Sequence, residues 1–416
     1  MTLDQRFADA MGALLGPSFP SALGLAVSGG GDSMAMLALC HGWARRFGVT
    51  LHVVTVDHGL RPEAADEAAM VARECALLGH AHDTLRWQWD GQGNKMDAAR
   101  RARLALFEAW RGDLRHILVA HTRDDLAETF LMRLARGSGV DGLAAMAPMR
   151  PVHGYMLVRP CLDMGRAELR HYVTTLKVPF VDDPSNADPA YDRARIRAAL
   201  PTFEAQGLTP ATLAATAERL RDERKALARR ALQVWQEVGR EEPWGGLSFA
   251  PGWHAQVESA TRRRLLNAAL TYVSAADYGP RAEALDHFCD RVISGGVATL
   301  HGCAATFVND RLTIFREHAA VTDMKGKVGE AAPWDSRWQA EFSDYNGLTL
   351  RALGQDGWRQ ARVQACGPPH RIALSLPSIW DGDRLKACDG LAIGPGATIR
   401  DLRKDRGGFA NHLLSH

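Results

Sequence analysis

The sequence predicts an α/β protein whose first half is a doubly wound parallel sheet, followed by a helical domain and a small C-terminal domain that contains strands. Short apolar runs with strand character alternate with longer helical patterns over about the first 200 residues, as in repeated βαβ units. The segments between the strands are long enough to act as helical crossovers in a parallel sheet. After Pro201 the alternation stops, which marks the end of the predicted sheet domain.

The predicted sheet domain contains four strands separated by helices. We predict strands at residues 22–27, 50–56, 81–87 and 116–120, and helices at 32–47, 63–78, 96–110 and 124–136. In an open parallel sheet, ligands bind beyond the carboxyl ends of the strands. A functional site is therefore expected among the residues that follow Val27, Val56 and Ala120.

The remainder of the chain changes character twice. Residues 209–238 predict one long helix, because apolar residues recur at helical spacing at Leu213, Ala217, Leu220, Leu227 and Val234. From about residue 320, short runs such as 348–353 and 371–376 are broken by Gly and Pro, which predicts short strands. We therefore predict three domains, at 1–205, 206–320 and 321–416.

Charge and cysteine content restrict the class of protein. Lys and Arg total 50 and Asp and Glu 48, so the net charge of +2 does not by itself argue for a polyanionic partner, and any contact with nucleic acid must use local basic patches. The seven cysteines form no C-x-x-C pair, and their odd number fits no closed set of disulfides. The N-terminus lacks a signal-peptide pattern, and no apolar run approaches the roughly 20 residues of a membrane helix. We expect a cytoplasmic protein with reduced thiols and no membrane contact.

The strongest local pattern is a glycine-rich loop between the first predicted strand and the first predicted helix. The loop consists of Ser28, Gly29, Gly30, Gly31, Asp32 and Ser33. Glycines let the backbone fold closely around an anion, and amides at a helix start donate to phosphate oxygens. Neither G-x-x-x-x-G-K-[ST] nor G-x-G-x-x-G is present, which disfavours a Walker NTPase and a dinucleotide enzyme. Taken alone, the string also fits a flexible turn.

Asp32 is unusual in a loop that is expected to hold phosphate. A carboxylate beside phosphates is repelled unless a divalent cation lies between them. The sequence therefore predicts Mg²⁺ at this loop.

The loop resembles the SGGxDS loop of the N-type ATP pyrophosphatases, the PP-loop group. This resemblance implies a sheet domain that splits ATP between its α and β phosphates. It also implies that a carbonyl oxygen is adenylated and that a nucleophile then displaces AMP.

Four further segments narrow the resemblance. They are V-D-H-G-L-R at 56–61, A-H-T-R-D-D-L-A-E-T at 120–129, D-D-P-S-N at 182–186 followed by arginines at 193, 195 and 197, and A-A-R at 98–100 with Arg103. Over residues 20–200, their order and spacing resemble the bacterial tRNA(Ile)-lysidine synthetase family. Two positions depart from the family pattern: Ala194 replaces an asparagine, and Leu104 replaces an aromatic residue.

The resemblance implies a reaction with three substrates. ATP, L-lysine and a tRNA(Ile) with a CAU anticodon give lysidine at the wobble position, with AMP and pyrophosphate, and codon specificity changes from AUG to AUA. Adenylation is needed because the 2-oxygen of cytosine is a poor leaving group. The ε-amine of lysine must attack as the neutral base although its free pKa is about 10.4. The oligomeric state is left open, with a homodimer as one alternative.

The resemblance also assigns candidate site residues, each with a structural alternative. Asp32 and Asp125 are the candidate Mg²⁺ ligands, and His121 and Glu128 complete the candidate catalytic set. Asp125 at a helix start, Glu128 in a structural hydrogen bond and His121 at a strand end also have ordinary roles. The ATP contacts are expected to be residues 28–33 together with Asp57, His58 and Arg61, although the last three also fit an ordinary turn.

Candidate contacts to tRNA or lysine are mostly arginines, because the guanidinium fork matches phosphate oxygens. They are Arg100, Arg103, Asp183, Asn186, Arg193, Arg195, Arg197, Arg221, Arg224 and Lys225. The alternative for the basic residues is a solvated helix face.

Three other functions remain open from the sequence. A tRNA thiolase of the same loop group is the main alternative, disfavoured by the missing C-x-x-C pair. A small-molecule amidating ligase is disfavoured by the arginine-dense tract and the long helical extension. A non-catalytic tRNA-binding protein is disfavoured by the presence of both Asp32 and Asp125.

Overall fold

The computed structural model describes residues 1–59, 63–89, 91, 95–152, 154–182, 188–276, 278–342, 347–361, 367–394 and 396–415. The chain divides into two compact units, Met1–Arg224 and Lys225–His416. In the part of the chain that is described, no helix is both long enough and apolar enough to cross a membrane.

The first unit is built on a six-stranded sheet. Its strands are β1 Ala22–Ala26, β2 Thr50–Asp57, β3 Ala81–Arg86, β4 His116–Val119, β5 Met149–Val152 and β6 Tyr155–Val158, in the order β3-β2-β1-β4-β6-β5. All neighbouring strands pair in parallel except β5, which forms an antiparallel hairpin with β6. Pro151 is tolerated in β5 because an edge strand needs no donor on its outer side.

Helices cover both faces of this sheet. They are α1 Leu3–Leu15, α2 Gly31–Phe47, α3 Ala64–Leu78, α4 Lys95–Trp110, α5 Arg123–Leu134, α6 Val140–Leu143, α7 Arg166–Leu176 and α8 Asp192–Glu204. Side chains alternate along each strand, so Leu118 packs with α1, α2 and α7 on one face, whereas Ile117 and Val119 pack with Phe107 of α4 on the other.

The predicted α/β fold class is confirmed. Each predicted strand and helix of residues 22–136 is present, with ends that differ by one or two residues. The β5–β6 hairpin and α7 were not among the predicted elements. Because β1 pairs with β2 on one side and β4 on the other, the direction of winding reverses beside β1. A crevice for ligands forms at such a point.

The long helix predicted at 209–238 is α9, Pro210–Val238, and the boundary between the two units falls within it. The second unit continues with α10 Ser259–Ser274, α11 Ala282–Ile293, α12 Gly354–Ala361, α13 His370–Ala373, α14 Leu402–Asp405 and α15 Gly408–Ser415. Trp235 of α9 packs against Phe249 and Phe409 in the core of this unit.

The described residues of the second unit also form three antiparallel sheets. The first has the order β7-β8-β11-β10-β9, with β7 Gly239–Glu241, β8 Leu247–Phe249, β9 Ala298–Leu300, β10 Cys303–Val308 and β11 Arg311–Arg316. The second has the order β12-β14-β15-β16, with β12 Lys325–Lys327, β14 Thr349–Ala352, β15 Pro377–Asp381 and β16 Arg384–Ala387. The third pairs β13 Trp338–Phe342 with β17 Ala397–Asp401.

Two features of the second unit differ from the sequence prediction. The described residues of 206–320, the segment predicted as helical, include five strands. The sequence did not reveal them because strands of three to six residues are too short to show a clear alternating pattern. Residues 371–376, predicted as a strand, begin within α13 instead, and the strand starts at Pro377. Pro369 is the N-cap of this helical turn, and the side chains of Ile372 and Ala373 in the turn are buried.

Candidate active site at the carboxyl edge of the parallel sheet

The glycine-rich loop connects β1 to the start of α2. Gly29 has a φ of +87° and is buried, and a Cβ there would lie 3.4 Å from Cε of Met70. The Ser33 hydroxyl donates to the Gly30 carbonyl (2.9 Å) and accepts from the Ser28 amide (3.1 Å). Gly30, the N-cap of α2, has no side chain to accept from the first-turn amides. These amides are therefore available to donate to an anion.

Asp125 is fixed by the start of α5. The Thr122 side chain accepts from the Asp125 amide, and Asp125 Oδ2 accepts from the Thr122 amide and hydroxyl, both at 2.9 Å. This reciprocal arrangement is a capping box, and it satisfies amides that the helix leaves unpaired. The helix-capping role considered for Asp125 is therefore real, but its second oxygen is directed elsewhere.

That second oxygen belongs to a cluster of three carboxylates around one arginine, which we call the carboxylate cluster: Asp32, Asp125 and Glu128 with Arg166. Arg166 Nε lies 3.3 Å from Asp32 Oδ2, its Nη2 lies 3.2 Å from Asp125 Oδ1, and its Nη1 lies 3.1 Å from Glu128 Oε1. The Arg166 amide also donates to Asp124 Oδ2 at 2.8 Å. Three of the predicted catalytic residues thus share one guanidinium, although Asp32 lies more than 90 positions before Asp125 and Glu128 in the chain.

The two aspartates of the cluster differ in their protonation chemistry. Burial raises the pKa of Asp32 to about 6, although the charge of Arg166 opposes the shift. Burial also acts on Asp125, but there Arg166 and the Thr122 amide prevail, and the pKa falls below its usual value. Asp125 is thus the more firmly ionised of the two near neutral pH.

Glu128 is fully buried and is surrounded by arginines. Besides Arg166, it accepts from Arg197 Nε at 2.8 Å, and Arg193 Nε lies 3.3 Å from its other oxygen. A buried carboxylate is stable only when it is paired in this way. Glu128 therefore connects α5 to the arginines of α8, which the sequence predicted as substrate contacts.

His121 follows β4 and is held by an arginine that the sequence analysis did not single out. Arg159, which follows β6, donates from Nε to His121 Nδ1 at 3.3 Å and from Nη1 to the Ala147 carbonyl at 2.6 Å. Burial and the charge of Arg159 lower the pKa of His121 to about 3. The ring is therefore neutral, and because Nδ1 accepts, the proton is on Nε2.

The other predicted nucleotide contacts lie at the end of β2 or outside the described residues. Asp57 Oδ1 accepts from the Gly59 amide at 2.8 Å, which is the ordinary turn considered from the sequence. His58 packs edge-on against Trp87, and burial lowers its pKa. Arg61 lies outside the described residues.

The predicted substrate contacts that the structure describes lie on α4, α8 and α9. Arg100 is exposed, Arg103 is partly buried, and Arg103 contributes to the low pKa of His121 after burial and Arg159. Arg195 pairs with Asp192 on α8. Arg221 is buried and donates to the Met146 carbonyl at 3.0 Å, Arg224 is partly exposed and Lys225 exposed. Asp183 and Asn186 lie outside the described residues.

Sequence reasoning missed Arg166 and Arg159. Arg166 is the first residue of α7 and lies 134 positions after Asp32, so no local spacing connects the two. The one available signal was a Gly-Arg pair before a helical run, at 165–166, and this pattern is too common to indicate a site.

Comparison with known proteins agrees with the geometry. Residues 3–203 match the PP-loop domain family. A tRNA(Ile)-lysidine synthase from Ruegeria pomeroyi is 38% identical over 408 residues, which cover 95% of each chain. One from a Bradyrhizobium species is 42% identical over 290 residues, which cover 66% of this chain and 80% of that protein.

A solved U34-tRNA thiolase from Methanococcus maripaludis is 14% identical, with a TM-score of 0.45, and the match covers 52% of this chain and 78% of that one. A similarity this low bears on neither activity nor substrate. The relative from Ruegeria, by contrast, matches 95% of this chain and therefore extends over both units. The glycine-rich loop and the carboxylate cluster beside it are consistent with the function of these relatives. By its similarity to them, the chain belongs to the tRNA(Ile)-lysidine synthase family.

Proposed function

We propose that this protein ligates L-lysine to the 2-position of the wobble cytidine in the CAU anticodon of tRNA(Ile), at the expense of ATP. Lysidine, AMP and pyrophosphate are the products. The observation that carries the proposal is the carboxylate cluster beside the glycine-rich loop, in a chain of this family. The reaction needs a triphosphate site and negative charges that hold a cation close to it.

The triphosphate is proposed to bind at residues 28–33. The uncapped amides at the start of α2 and the Ser28 hydroxyl are donors for phosphate oxygens, and the Ser33 hydroxyl, which donates to the Gly30 carbonyl, holds the loop in shape. The loop needs a positive φ at position 29, and glycine adopts it without strain. The 2-oxygen of cytosine then attacks the α-phosphorus, and pyrophosphate leaves.

Asp32 and Asp125 fit a Mg²⁺ ion by their chemistry. Both present carboxylate oxygens, the ligands that Mg²⁺ prefers, and the pair already shares one cation, the guanidinium of Arg166. Burial raises the pKa of Asp32, and a divalent cation beside it would favour its ionised form. When bound, Mg²⁺ would neutralise charge that develops on the phosphates.

His121 is proposed to donate a hydrogen bond to the reacting groups. With its proton on Nε2 and a pKa of about 3, it serves as a neutral donor and not as a proton acceptor at neutral pH. A donor aimed at an oxygen that gains negative charge stabilises the transition state. Displacement of AMP by the ε-amine then forms the new C–N bond, and the amine loses its protons to solvent or to a nearby carboxylate.

The anticodon arm is proposed to contact the arginines near Glu128 and on α4. Arg193 and Arg197 are oriented by Glu128, and Arg100 is exposed on α4. Guanidinium groups held in place lose less entropy when they bind phosphate. Arg221, another predicted RNA contact, is buried and donates a hydrogen bond to the Met146 carbonyl, so it also has a structural role.

The proposed function can be tested with labelled lysine. The full chain is incubated with ATP, Mg²⁺, labelled L-lysine and a tRNA(Ile) transcript with a CAU anticodon. We expect label that stays on the RNA after mild alkali, because an ester on the terminal ribose would be hydrolysed. Omission of ATP, or a transcript with a changed anticodon, should remove the label. Alkali-labile label alone would contradict the proposal.

We predict that Asp32→Asn and Asp125→Asn each reduce incorporation of lysine at least about 100-fold, because a neutral amide cannot balance the cation at this site. Binding of tRNA should stay within about twofold, since phosphate contacts lie on other residues. Asp163→Asn is the matched control, because Asp163 is an exposed carboxylate whose ion pair with Arg6 spans 3.6 Å. Full activity of Asp32→Asn or Asp125→Asn would show that the substituted aspartate has a structural role only.

A thiolase is not proposed for this chain. The six described cysteines, Cys40, Cys75, Cys161, Cys289, Cys303 and Cys388, are all buried. Burial raises the pKa of these thiols, whereas a reactive cysteine needs an accessible thiolate.

A further inference from the structure

Arg166 is the group through which the parts of the site contact one another. It is the first residue of α7, and its three side-chain nitrogens each reach a different carboxylate of α2 or α5. About a quarter of its side chain is exposed, as is a quarter of the Asp32 side chain, whereas Asp125 is 12% exposed. An arginine in this position is reachable by a ligand but is not simply on the surface.

The three carboxylates around Arg166 differ in the number of arginines that they contact. Glu128 has two further arginine partners, Arg193 and Arg197. Among the described residues, Asp32 and Asp125 have the charge of Arg166 alone in hydrogen-bonding distance. Asp125 uses its other oxygen for Thr122, so the oxygen that faces Arg166 is the one left for a metal.

We propose that Arg166 is a positioning residue that occupies the oxygens of Asp32 and Asp125 until nucleotide and Mg²⁺ arrive together. This inference rests on the metal site of the proposed function. A guanidinium and a divalent cation compete for the same two oxygens, so the metal alone gains little by binding. Triphosphate oxygens offer Arg166 new partners, and a bidentate arginine–phosphate contact compensates for the carboxylates that it gives up.

The consequence is an order of binding. Free Mg²⁺ is held weakly, Mg²⁺ with nucleotide is held firmly, and the two carboxylates keep their spacing in both states. Without Arg166, the two aspartates would face each other without a counter-charge, and a metal would then bind in the absence of nucleotide. If Arg166 were purely structural, its removal would instead lower the stability of the protein and leave the metal affinity unchanged.

The test measures binding of Mn²⁺, as a paramagnetic substitute for Mg²⁺, by electron paramagnetic resonance on the full chain. The metal is titrated alone and with the α,β-methylene analogue of ATP. For the unmodified protein we expect binding at least about tenfold tighter with the analogue than without it. For Arg166→Gln we expect Mn²⁺ alone to bind about tenfold more tightly than to the unmodified chain, with a smaller gain from the analogue. Arg166→Lys should lie between the two.

Arg123→Gln is the matched control. Arg123 is the first residue of α5 and pairs with Glu168 of α7 at 3.4 Å, so the variant removes one arginine–carboxylate contact between the same two helices. Its Mn²⁺ affinity should equal that of the unmodified chain. Circular dichroism and thermal unfolding of each variant confirm that it is folded.

Three results would overturn the inference. One is tight binding of Mn²⁺ alone to the unmodified protein, which can be measured even if Arg166→Gln fails to fold. Another is an Arg166→Gln or Arg166→Lys variant that is folded and binds Mn²⁺ alone no better than the unmodified chain. The third is an equal increase in affinity for Mn²⁺ alone in Arg166→Gln and in Arg123→Gln. Absence of metal binding with the analogue in the unmodified chain would contradict the proposed metal site itself.

Discussion

At the scale of single residues, neighbours decide the chemistry of His121. A free imidazole has a pKa of about 6.5 and changes charge near neutral pH. In this protein, burial and the charge of Arg159 lower that pKa to about 3, and the contact from Arg159 Nε leaves the proton on Nε2. The residue is thereby converted from a pH-dependent group into a permanent neutral donor.

We predict that His121 stays neutral from pH 8 down to about pH 5, as measured by ¹⁵N chemical shifts of its ring nitrogens. The signals should be those of the Nε2–H tautomer throughout. Because the unfolded imidazole takes up a proton below about pH 6.5 and the folded one does not, this residue also makes stability fall as the pH drops. In His121→Gln that contribution should vanish. A ring that titrates near pH 6.5 would contradict the assignment.

A second prediction concerns Gly29, whose φ of +87° strains any side chain. Gly29→Ala should lower the free energy of unfolding by about 1 kcal/mol and weaken binding of an ATP analogue at least about tenfold. Gly48→Ala is the matched control, because Gly48 has a φ of +69° with nothing within 4 Å of the added Cβ and caps α2 at its other end. It should show the loss of stability without the loss of binding. If both variants bound the ATP analogue equally well, Gly29 would not be part of the nucleotide site.

At the scale of elements, the start of α5 combines stability and function. Thr122 caps the helix and holds one oxygen of Asp125, and the position of the helix after β4 brings the other oxygen to the cluster. A helix at the carboxyl edge of a parallel sheet can therefore be stabilised and functional through the same residues.

We predict that Thr122→Val lowers the free energy of unfolding by about 1 to 2 kcal/mol, because the shape is kept while the capping hydroxyl is lost. Thr122→Ser, which retains the hydroxyl, should cost much less. Denaturation by urea at equilibrium measures both. Similar losses in the two variants would mean that packing of the methyl group, and not the cap, is what the fully buried Thr122 contributes.

At the scale of the whole molecule, a net charge of +2 means that binding of RNA must depend on local groups of arginines. We predict that the logarithm of the tRNA association constant falls linearly with the logarithm of salt concentration. Arg100→Gln should reduce that slope by about one. Arg73→Gln, an exposed arginine of α3, is the control and should leave the slope unchanged. Filter binding at several salt concentrations gives both slopes, and equal slopes would exclude Arg100 from the RNA contact.

Much of the first unit could be predicted because its signals are local. The strands and helices of residues 22–136 follow from hydrophobic periodicity, and the predicted family is confirmed by the relatives. The second unit was harder, since strands such as Leu247–Phe249 have three residues and are stabilised by pairing with distant strands. The proposed roles of the site residues remain predictions.

By itself, the sequence determined the α/β class, the glycine-rich loop and the acidic residues that follow the strands, because each depends on residues close together in the chain. Only the tertiary structure decided that Arg166 binds Asp32, Asp125 and Glu128 at once, and that Arg159 keeps His121 neutral. These contacts join segments 38 to 134 positions apart, and their strength depends on burial. Neither the distance between such groups nor the water removed around them is encoded in any local pattern.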